Sequence, residues 1–388
     1  MNQMEYKRLG DYIREVNLRN RELKVTKLVG LTIDKAFIPS VANVIGTDLS
    51  NYKVIRREQF ACSLMQVSRD GKIPVAMFEE DEAIMSPAYP MFEVVDKTKL
   101  LPQYLMMWFS RSEFDREASY YAVGGVRGSL TWEDFCNMRL PVPSIERQRE
   151  IVSEYETLTR RIRLNEQMIE KLEATAQALY RKMFVDGIDK ENLPEGWRWG
   201  KLGDVCEISS SKRIYENEYC REGVPFYRGK EITQKRNGEK IDDLVFISKN
   251  RYLELIQKFG KPTKGDILLT AVGTIGNSYM VQEEEFYFKD GNIIWLYNFS
   301  CEGANNYIYQ YFQDESFEKI IAEIEIGSTQ KALTIQSLLL LGILIPDNIT
   351  IKEFGHKATI LYDNISLKKQ ENEKLTELQS LLLARMGK

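Results

Sequence analysis

Residues 145–184 carry an apolar repeat that constrains the fold more than any other stretch of the chain. Apolar side chains recur at alternating spacings of three and four residues, with Asn165 as the one polar member and no glycine or proline. The pattern is typical of a coiled-coil seam and predicts a helix roughly 55–60 Å long. A lone amphipathic helix is not stable in water, so its apolar stripe needs a partner. The predicted seam positions of this helix include Ile151, Leu158, Ile162, Ile169, Leu172 and Leu179.

A second seam lies near the C-terminus, at a constant offset of 203 residues. The tripeptide Glu-Lys-Leu, for example, occurs at 170–172 and again at 373–375. Two unrelated helices with chance heptads would not keep one offset, so we predict that the two helices pair with each other. Lys368, Asn372 and Gln379 stand at seam positions, and polar seam residues cost stability but fix the register of a helix pair. The second seam includes Phe354, Leu361, Ile365, Leu375 and Leu382.

The segments before the two helices also repeat. WGKLGDVCEI at 199–208 restarts the pattern of YKRLGDYIREV at 6–16, and a Tyr–aromatic–Glu–Phe helix recurs at the offset of 203. We therefore predict an α+β fold in which two tandem α/β domains are separated by two long helices that form an antiparallel coiled coil, with an internal pseudo-two-fold duplication. The predicted boundaries are 1–144 for the first domain, 145–187 for the central helix, 188–350 for the second domain and 351–388 for the C-terminal helix.

Charge and composition limit the classes of partner. The formal net charge is −4, and by our count residues 191–350 carry 18 basic against 24 acidic side chains. No domain is broadly basic, so non-specific affinity for DNA should be weak. The polar N-terminus is unlike a signal peptide, and the longest apolar run, 338–345, is too short to cross a membrane. Five widely spaced cysteines without a CxxC predict free thiols in a reducing cytoplasm and no zinc site.

The chain lacks the residue patterns of the common catalytic sites. Its single histidine, His356, falls on the second long helix, which argues against a histidine-based triad or metal cluster. No GxxxxGK[ST] motif is present, and GGVRG at 124–128 lacks the strand–GxGxxG–helix context of a dinucleotide site. An enzyme that methylates by itself would need an NPPF-like or DPPY-like motif, which is absent. We predict no catalytic residue and no metal site.

Recognition is the chemistry that remains. The predicted loops hold Arg, Lys, Tyr, Thr, Asn and Gln, whose side chains bond to phosphates and base edges but suit protein interfaces almost as well. Two similar globules spaced by rigid helices suit a two-part DNA target, whose half-sites lie about 34–36 Å apart. The segments with these residues are 15–23, 65–74, 209–215, 224–238 and 271–279. The predicted DNA contacts are Arg19, Arg21, Arg69, Lys72 and Arg127 in the first domain, and Lys212, Arg213, Tyr227, Arg228 and Lys230 in the second.

Over essentially its whole length the chain resembles the specificity (S) subunits of type I restriction–modification systems. GGVRGSLTWEDFCNMRLPVPSIERQREIV is the most specific stretch, because it joins a Gly–Arg loop, an aromatic run, an LPxP exit and a Gln-containing helix start. The other first-half stretches are FIPSVANVIGTDLSNYKV, QFACSLMQVSRDGKIPVA, MSPAYPMFEV and LPQYLMMWFSRSEFDREA. Those of the second half are KLGDVCEISSSKRIY, GVPFYRGKEI, KGDILLTAVGTIG and GSTQKAL.

This resemblance implies two target-recognition domains, each recognising one half of a bipartite double-stranded DNA sequence. It also implies that the helical regions dock two methyltransferase (modification) subunits, which carry S-adenosylmethionine and methylate adenine N6, and that restriction subunits join through them. The S subunit itself would bind no cofactor, catalyse nothing and contact no membrane. The chain departs from the family at its second exit, LLLLGILIPDNITIKEF, which lacks the PxxxxQ helix start, and in SSSKRIY, where many relatives have a Gly-Thr-Pro turn.

A self-sufficient enzyme would need the motifs that are absent, and two further function classes remain open. The leading hypothesis is a non-catalytic DNA-specificity subunit, and the alternative is a coiled-coil scaffold that does not bind DNA. The first predicts DNA binding that weakens steeply with salt, and the second predicts none.

Overall fold

The chain divides into two compact units, and we describe each by itself. The computed structural model describes residues 5–40, 46–65, 67–123, 128–239, 241, 243–327 and 332–387. The first unit comprises residues 1–164 with 371–388, and the second comprises 165–370. Each unit therefore contains one globule together with part of each long helix.

The elements of the first half end in the long central helix. In chain order they are β1 (Tyr6–Arg8), β2 (Ile13–Glu15), β3 (Val29–Leu31), β4 (Phe37–Pro39), β5 (Lys53–Arg56), β6 (Phe60–Cys62), α1 (Val67–Asp70), β7 (Val75–Met77), β8 (Glu82–Met85), β9 (Met91–Val94), α2 (Pro102–Phe109), α3 (Ser112–Ala122), α4 (Trp132–Asn137), β10 (Arg139–Pro141) and α5 (Ile145–Phe184). The bounds of α5 agree with the helix predicted from the heptads.

The second half follows a similar order and ends in the second long helix. Its elements are β11 (Arg198–Lys201), β12 (Glu207–Ser209), β13 (Tyr219–Cys220), β14 (Val224–Tyr227), α6 (Gly229–Asn237), β15 (Val245–Ile247), α7 (Lys249–Phe259), β16 (Ile267–Thr270), β17 (Ser278–Met280), β18 (Tyr287–Phe288), β19 (Ile293–Tyr297), α8 (Ala304–Tyr311), α9 (Glu315–Gly327), α10 (Ile335–Leu339), β20 (Gly342–Ile345) and α11 (Asn348–Arg385).

Both globules are built on the same antiparallel sheet. Within the described residues the strand order is β2-β9-β6-β7 in the first globule and β12-β19-β16-β17 in the second. The globules differ in what is added to this sheet. The first adds two strand pairs, β3–β4 and β5–β8, whereas the second adds the sheet β13-β15-β14-β18. The shared sheet confirms the predicted α+β fold and internal duplication.

Equivalent hydrogen bonds close the two globules. In the first, the buried Tyr104 donates its hydroxyl hydrogen to the carbonyl of Pro141 at 3.3 Å. In the second, Tyr307 donates to the carbonyl of Leu344 at 2.5 Å, and these two residues lie 203 positions after Tyr104 and Pro141. Strand β1 pairs with β10, and β11 pairs with β20 in the corresponding register. The duplication thus extends from the sequence to individual hydrogen bonds.

The long helices pair antiparallel within each unit. In the first unit, Gln379 Nε2 donates to Thr159 Oγ1 at 2.7 Å, and Arg161 Nε lies 2.7 Å from a carboxylate oxygen of Glu371. All the predicted seam residues of α5 and α11 are buried or half-buried. Two of the three polar seam positions also reach across: besides Gln379, Asn372 donates to the Ile162 carbonyl at 3.5 Å. These side chains support the antiparallel register, as predicted.

The C-terminal helix begins three residues earlier than residue 351, where the heptad pattern places it. Asp347 caps it, because its carboxylate accepts hydrogen bonds from the backbone N–H groups of Ile349 (2.9 Å) and Thr350 (3.0 Å). An aspartate that accepts from the first free N–H groups is a strong helix start signal.

None of the helices that the structure describes combines the length and the apolar character needed to span a membrane.

Each globule contacts its long helices in a different way. In the first, the fully buried Gln148 of α5 accepts from the Leu101 N–H (2.9 Å) and donates to the carbonyls of Lys99 (2.8 Å) and Pro143 (2.9 Å). The position 203 residues later holds the buried Ile351. The glutamine of the PxxxxQ start, which the second half lacks, therefore joins α5 to the first globule through buried hydrogen bonds. We call this contact the glutamine lock.

In the second globule the backbones themselves meet. A methyl group built at Gly355 of α11 would lie 2.3 Å from Gly303 Cα, so only glycine fits there. Asn306 completes the contact, since its Nδ2 donates to the Gly355 carbonyl at 3.0 Å and to Thr359 Oγ1 at 2.9 Å. Two glycines and an asparagine thus replace the glutamine lock.

We expect Gln148→Leu to lower the free energy of opening of the first globule by about 2–3 kcal/mol, because it leaves buried backbone groups without partners. Hydrogen exchange followed by mass spectrometry should show peptides from 99–111 exchanging about 30–100-fold faster where exchange requires opening of the globule. Peptides from 304–312 should not change. The exposed Gln167→Leu on the same helix is the control, and equal exchange in both variants would contradict a locking role.

Candidate nucleic-acid interface

Arg19 and Arg21 form one patch on the first globule. Arg19 donates to the backbone carbonyl of Asn51 at 2.6 Å, and Arg21 lies 3.5 Å from the side-chain oxygen of the same residue. Arg21 is exposed and Arg19 is half-buried. The exposed guanidinium of Arg21 is accessible to a phosphate oxygen, whereas Arg19 is partly engaged by Asn51.

Arg69 and Lys72 lie together in the connection between β6 and β7. Arg69 pairs with its neighbour Asp70 at 2.7 Å, and Lys72 lies 3.2 Å from a carboxylate oxygen of Asp34. Both cations are more than half exposed. In the described part of the chain, no hydrogen bond or ion pair joins them to the Arg19–Arg21 patch, so the predicted contacts of this globule form two groups.

A buried ion pair holds the Arg69–Lys72 segment in place. Asp115 of α3 accepts from Lys35 Nζ at 2.8 Å and from the backbone N–H of Ile73 at 3.1 Å. Ser68 also donates to the Gly128 carbonyl at 3.5 Å. Arg127, the fifth predicted contact, falls outside the described residues, but the residue that follows it borders this segment.

Lys212 and Arg213 are exposed on the second globule. The Lys212 ammonium lies 4.9 Å from the centre of the Phe259 ring, and Arg213 pairs with Asp290 at 3.1 Å. The Arg213 side chain is 68% exposed, so this pair contributes little to stability. Both groups are accessible to a polyanion.

Tyr227 and Arg228 have internal partners. Tyr227 is 5% exposed and donates its hydroxyl hydrogen to Glu284 at 3.0 Å, and burial raises the pKa of its phenol. Arg228 binds the fully buried Glu231 through Nε at 3.1 Å and through a second nitrogen. Burial alone would raise the pKa of Glu231, but the hydrogen bonds from Arg228 outweigh it and hold that pKa below its ordinary value. These contacts hold the buried Tyr227 and the half-buried Arg228 in fixed positions within the second globule.

Lys230, on the first turn of α6, points outward. Its ammonium lies 3.7 Å from Asp243, and its side chain is 58% exposed. A weak exposed pair of this kind is readily exchanged for a phosphate contact. Lys230 therefore remains a good candidate for positioning DNA.

A polar network that the sequence prediction did not single out lies beside Lys230. We call it the α6–hairpin network, and it joins α6 to the turn between β16 and β17. Thr233 Oγ1 lies 2.8 Å from Thr274 Oγ1 and accepts from Asn277 Nδ2 at 3.0 Å. Arg236 donates to Asn277 Oδ1 and, at 3.0 Å, to Gln313 Oε1. The network residues are Thr233, Arg236, Thr274, Asn277 and Gln313.

The turn conformation explains why this network forms. Gly273 and Gly276 both adopt positive φ values, 80° and 87°, which favour glycine. A side chain at Gly276 would also approach Ile321 to 3.0 Å. The two glycines thus bend the chain so that Thr274 and Asn277 face α6. Both segments, 224–238 and 271–279, were among the predicted recognition segments, and the structure brings them together.

The network has the chemistry of a base-recognition surface. Asparagine, glutamine, threonine and arginine side chains supply donors and acceptors in fixed directions, and such groups discriminate base edges in the major groove. Thr274 is exposed, and Thr233, Arg236 and Asn277 are half-buried.

Among the described residues no group of three or more His, Cys, Asp or Glu side chains could hold a metal ion.

Comparison with known proteins identifies the family. The family model described as the type I restriction modification DNA specificity domain matches residues 67–174 and 194–377. The chain belongs to this family. One of its two matched segments falls in each half of the duplication.

Individual relatives agree with this assignment. A Haemophilus influenzae protein described as a type I restriction enzyme specificity subunit is 30% identical over 219 residues, which cover 56% of this chain and 54% of that protein. The MjaVIII specificity subunit of Methanocaldococcus jannaschii is 23% identical over 267 residues, 64% of this chain and 61% of that protein. The chain thus matches between half and two thirds of the length of each of these two relatives.

A solved structure shares the fold. The S subunit of a type I restriction–modification system from M. genitalium superposes with a TM-score of 0.63, at 14% identity, over 100% of this chain and 97% of that chain. At this identity the likeness concerns the fold alone. It agrees with the fold described above for this chain.

We expect Arg228→Met to destabilise the second unit by about 2–3 kcal/mol at neutral pH, because it leaves the Glu231 carboxylate buried and unpaired. The folded-state pKa of Glu231 lies below its ordinary value of 4.5, so the pair stabilises the fold above that pH and the contribution is lost as the pH falls through the folded-state pKa. The difference between variant and parent should therefore shrink in acid.

Differential scanning calorimetry at pH 7 and pH 4 measures this difference. Arg213→Met removes an exposed pair and serves as the control, with an expected change within about 0.5 kcal/mol. If Arg228→Met matched that control at pH 7, the structural role of Arg228 would be wrong.

Proposed function

We propose that this chain is the DNA sequence-specificity subunit of a type I restriction–modification complex. Its two globules each recognise one half of a bipartite target, and its helical regions dock two adenine-N6 methyltransferase subunits, through which restriction subunits join. The observation that carries this proposal is the duplication: two globules share one sheet order, each is followed by a long helix, and the family model matches both halves.

The contrast between the globules supports recognition of two different half-sites. The sheets β2-β9-β6-β7 and β12-β19-β16-β17 have the same order, whereas the added strands and helices differ. A two-part DNA-binding protein needs a common scaffold that fixes geometry and separate surfaces that contact different bases. We therefore assign target recognition to residues 1–144 and 188–350, and docking of partner subunits to the helical regions 145–187 and 351–388.

The proposal gives this chain no catalytic residue and no cofactor. Methyl transfer belongs to the partner subunits, which bind S-adenosylmethionine, and cleavage belongs to the restriction subunits. What this chain supplies is the selection of the DNA sequence. Exposed cations such as Arg21, Lys212 and Lys230 would contact phosphates, and the α6–hairpin network would contact base edges.

Mapping of methylated adenine tests this function directly. The chain is co-expressed with the methyltransferase subunit of its system in a host without DNA methylation, and single-molecule sequencing locates N6-methyladenine. We expect one motif made of two short sequences with a fixed unspecified gap. No methylation from a complex that is assembled and binds its methyl donor would contradict the proposal.

Substitutions in the network assign each globule to a half-site. We expect Asn277→Ala to reduce discrimination at one or two bases of a single half-site by roughly tenfold, because a base-edge contact is lost. Arg69→Ala in the first globule is the matched variant and should affect the other half-site or overall affinity. Equal loss of both half-sites by Asn277→Ala would indicate a folding or docking defect.

The negative net charge of the chain favours one alternative function. With a net charge of −4, the chain could be a coiled-coil scaffold that does not contact DNA. Salt titration of the purified complex with its methyltransferase separates the two. A DNA-specificity complex that contacts several phosphates should lose about 10³-fold or more in affinity between 50 and 200 mM salt. A scaffold should show no DNA binding at either concentration.

A further inference from the structure

A lysine of α6 occupies a cage built by the rest of the second globule. The Lys235 ammonium contacts the Glu284 carboxylate and lies 5.4 Å from the centre of the Tyr227 ring and 5.9 Å from that of Tyr279. We call Tyr227, Tyr279 and Glu284 the tyrosine–carboxylate cage. Aromatic faces and carboxylates both attract an ammonium ion.

The cage is ordered by its own contacts. Tyr227 and Tyr279 donate their hydroxyl hydrogens to opposite oxygens of Glu284, and the Tyr227 ring stacks on Phe286 at 4.6 Å. Both tyrosines are less than 10% exposed, and burial raises the pKa of each phenol, so both remain neutral donors. Strands β14 and β17 and the turn at 282–285 supply these groups. Lys235 is the contribution of α6.

The position of Lys235 in α6 links the cage to the recognition surface. Thr233 lies two residues before it and Arg236 directly after it, and both belong to the α6–hairpin network. The start of the helix is fixed separately by Arg228 and Glu231, and its middle by the fully buried Ile232. Without Lys235, the last turn of α6 would lose its attachment to the turn at 282–285, and Thr233 and Arg236 would be free to leave the β16–β17 turn.

We propose that Lys235 is a positioning residue for recognition by the second globule: its ammonium fills the tyrosine–carboxylate cage and so fixes Thr233 and Arg236 against the β16–β17 turn. This proposal rests on the proposed function for its specificity readout. Lys235 contacts no base itself. It restricts the network to one arrangement, and a network with one arrangement discriminates between bases better than a mobile one.

Lys235→Ala tests the proposal because the cage can be refilled from solution. Removing the side chain beyond Cβ leaves room for n-propylammonium, which has the same three carbons and nitrogen. In the complex with its methyltransferase, we expect roughly tenfold weaker base discrimination at one half-site, with the other half-site unchanged. Addition of n-propylammonium chloride should restore discrimination, whereas the same concentration of sodium chloride should not. Lys235→Arg should retain most of it.

Lys249→Ala is the matched control in the same globule. Lys249 pairs at 2.8 Å with Glu285, the residue after Glu284, and its ammonium lies 5.2 Å from the centre of the Tyr252 ring. Unlike Lys235, it belongs to α7. This variant should keep the discrimination of the parent and should not respond to n-propylammonium. Unchanged discrimination in Lys235→Ala, or equal loss at both half-sites without rescue, would overturn the proposal.

A measurement without DNA separates the cage from the function. n-Propylammonium should raise the melting temperature of Lys235→Ala and leave that of Lys249→Ala unchanged. If the parent complex gave no bipartite motif but this shift were present, the proposed function would fail while the cage assignment stood. Absence of the shift, with a parent motif that is bipartite, would overturn the cage assignment alone.

Discussion

The apolar stripe of the long helices is the constraint on which the rest of the structure depends. A 40-residue helix cannot keep such a stripe in water, so α5 needs a partner along its seam, and α11 supplies one in each unit. Apolar packing alone would tolerate other registers. Gln379 and Asn372 reduce that freedom, because their hydrogen bonds to Thr159 and to the Ile162 carbonyl are available only in the observed antiparallel register.

The second globule adds two charged attachments to the same shared scaffold. Arg228 neutralises Glu231 at the start of α6, and Lys235 enters its cage near the end. Between them the helix presents Thr233 to the β16–β17 turn and Lys230 to solvent. An α6 of nine residues is too short to be stable by itself, so its position depends on these side chains and on the buried Ile232.

The sequence predicted what depends on periodicity and repetition, but it does not specify which way a side chain in a loop or at a helix start points. The seam, the duplication and the fold class follow from spacing. The start of α11 was misplaced because the heptad pattern begins after the cap, although Asp347 was visible in the sequence. DNA contact by Tyr227 and Arg228 stays a prediction, but Tyr227 is buried and bonded to Glu284, and Arg228 is half-buried and bonded to Glu231, which no local pattern indicates. The α6–hairpin network depends on the folding of β14, β16 and β17, which brings distant segments together and which no local pattern specifies.

The two attachments of globule to helix differ in how they tolerate exchange of a globule between relatives. Gln148 bonds only to backbone atoms of Lys99, Leu101 and Pro143, so a grafted first globule could carry almost any side chains there. The second attachment brings Gly303 and Gly355 within van der Waals contact. These two positions lie in different segments, so a transplanted second globule is compatible with a foreign helix only when both partners of that contact are small.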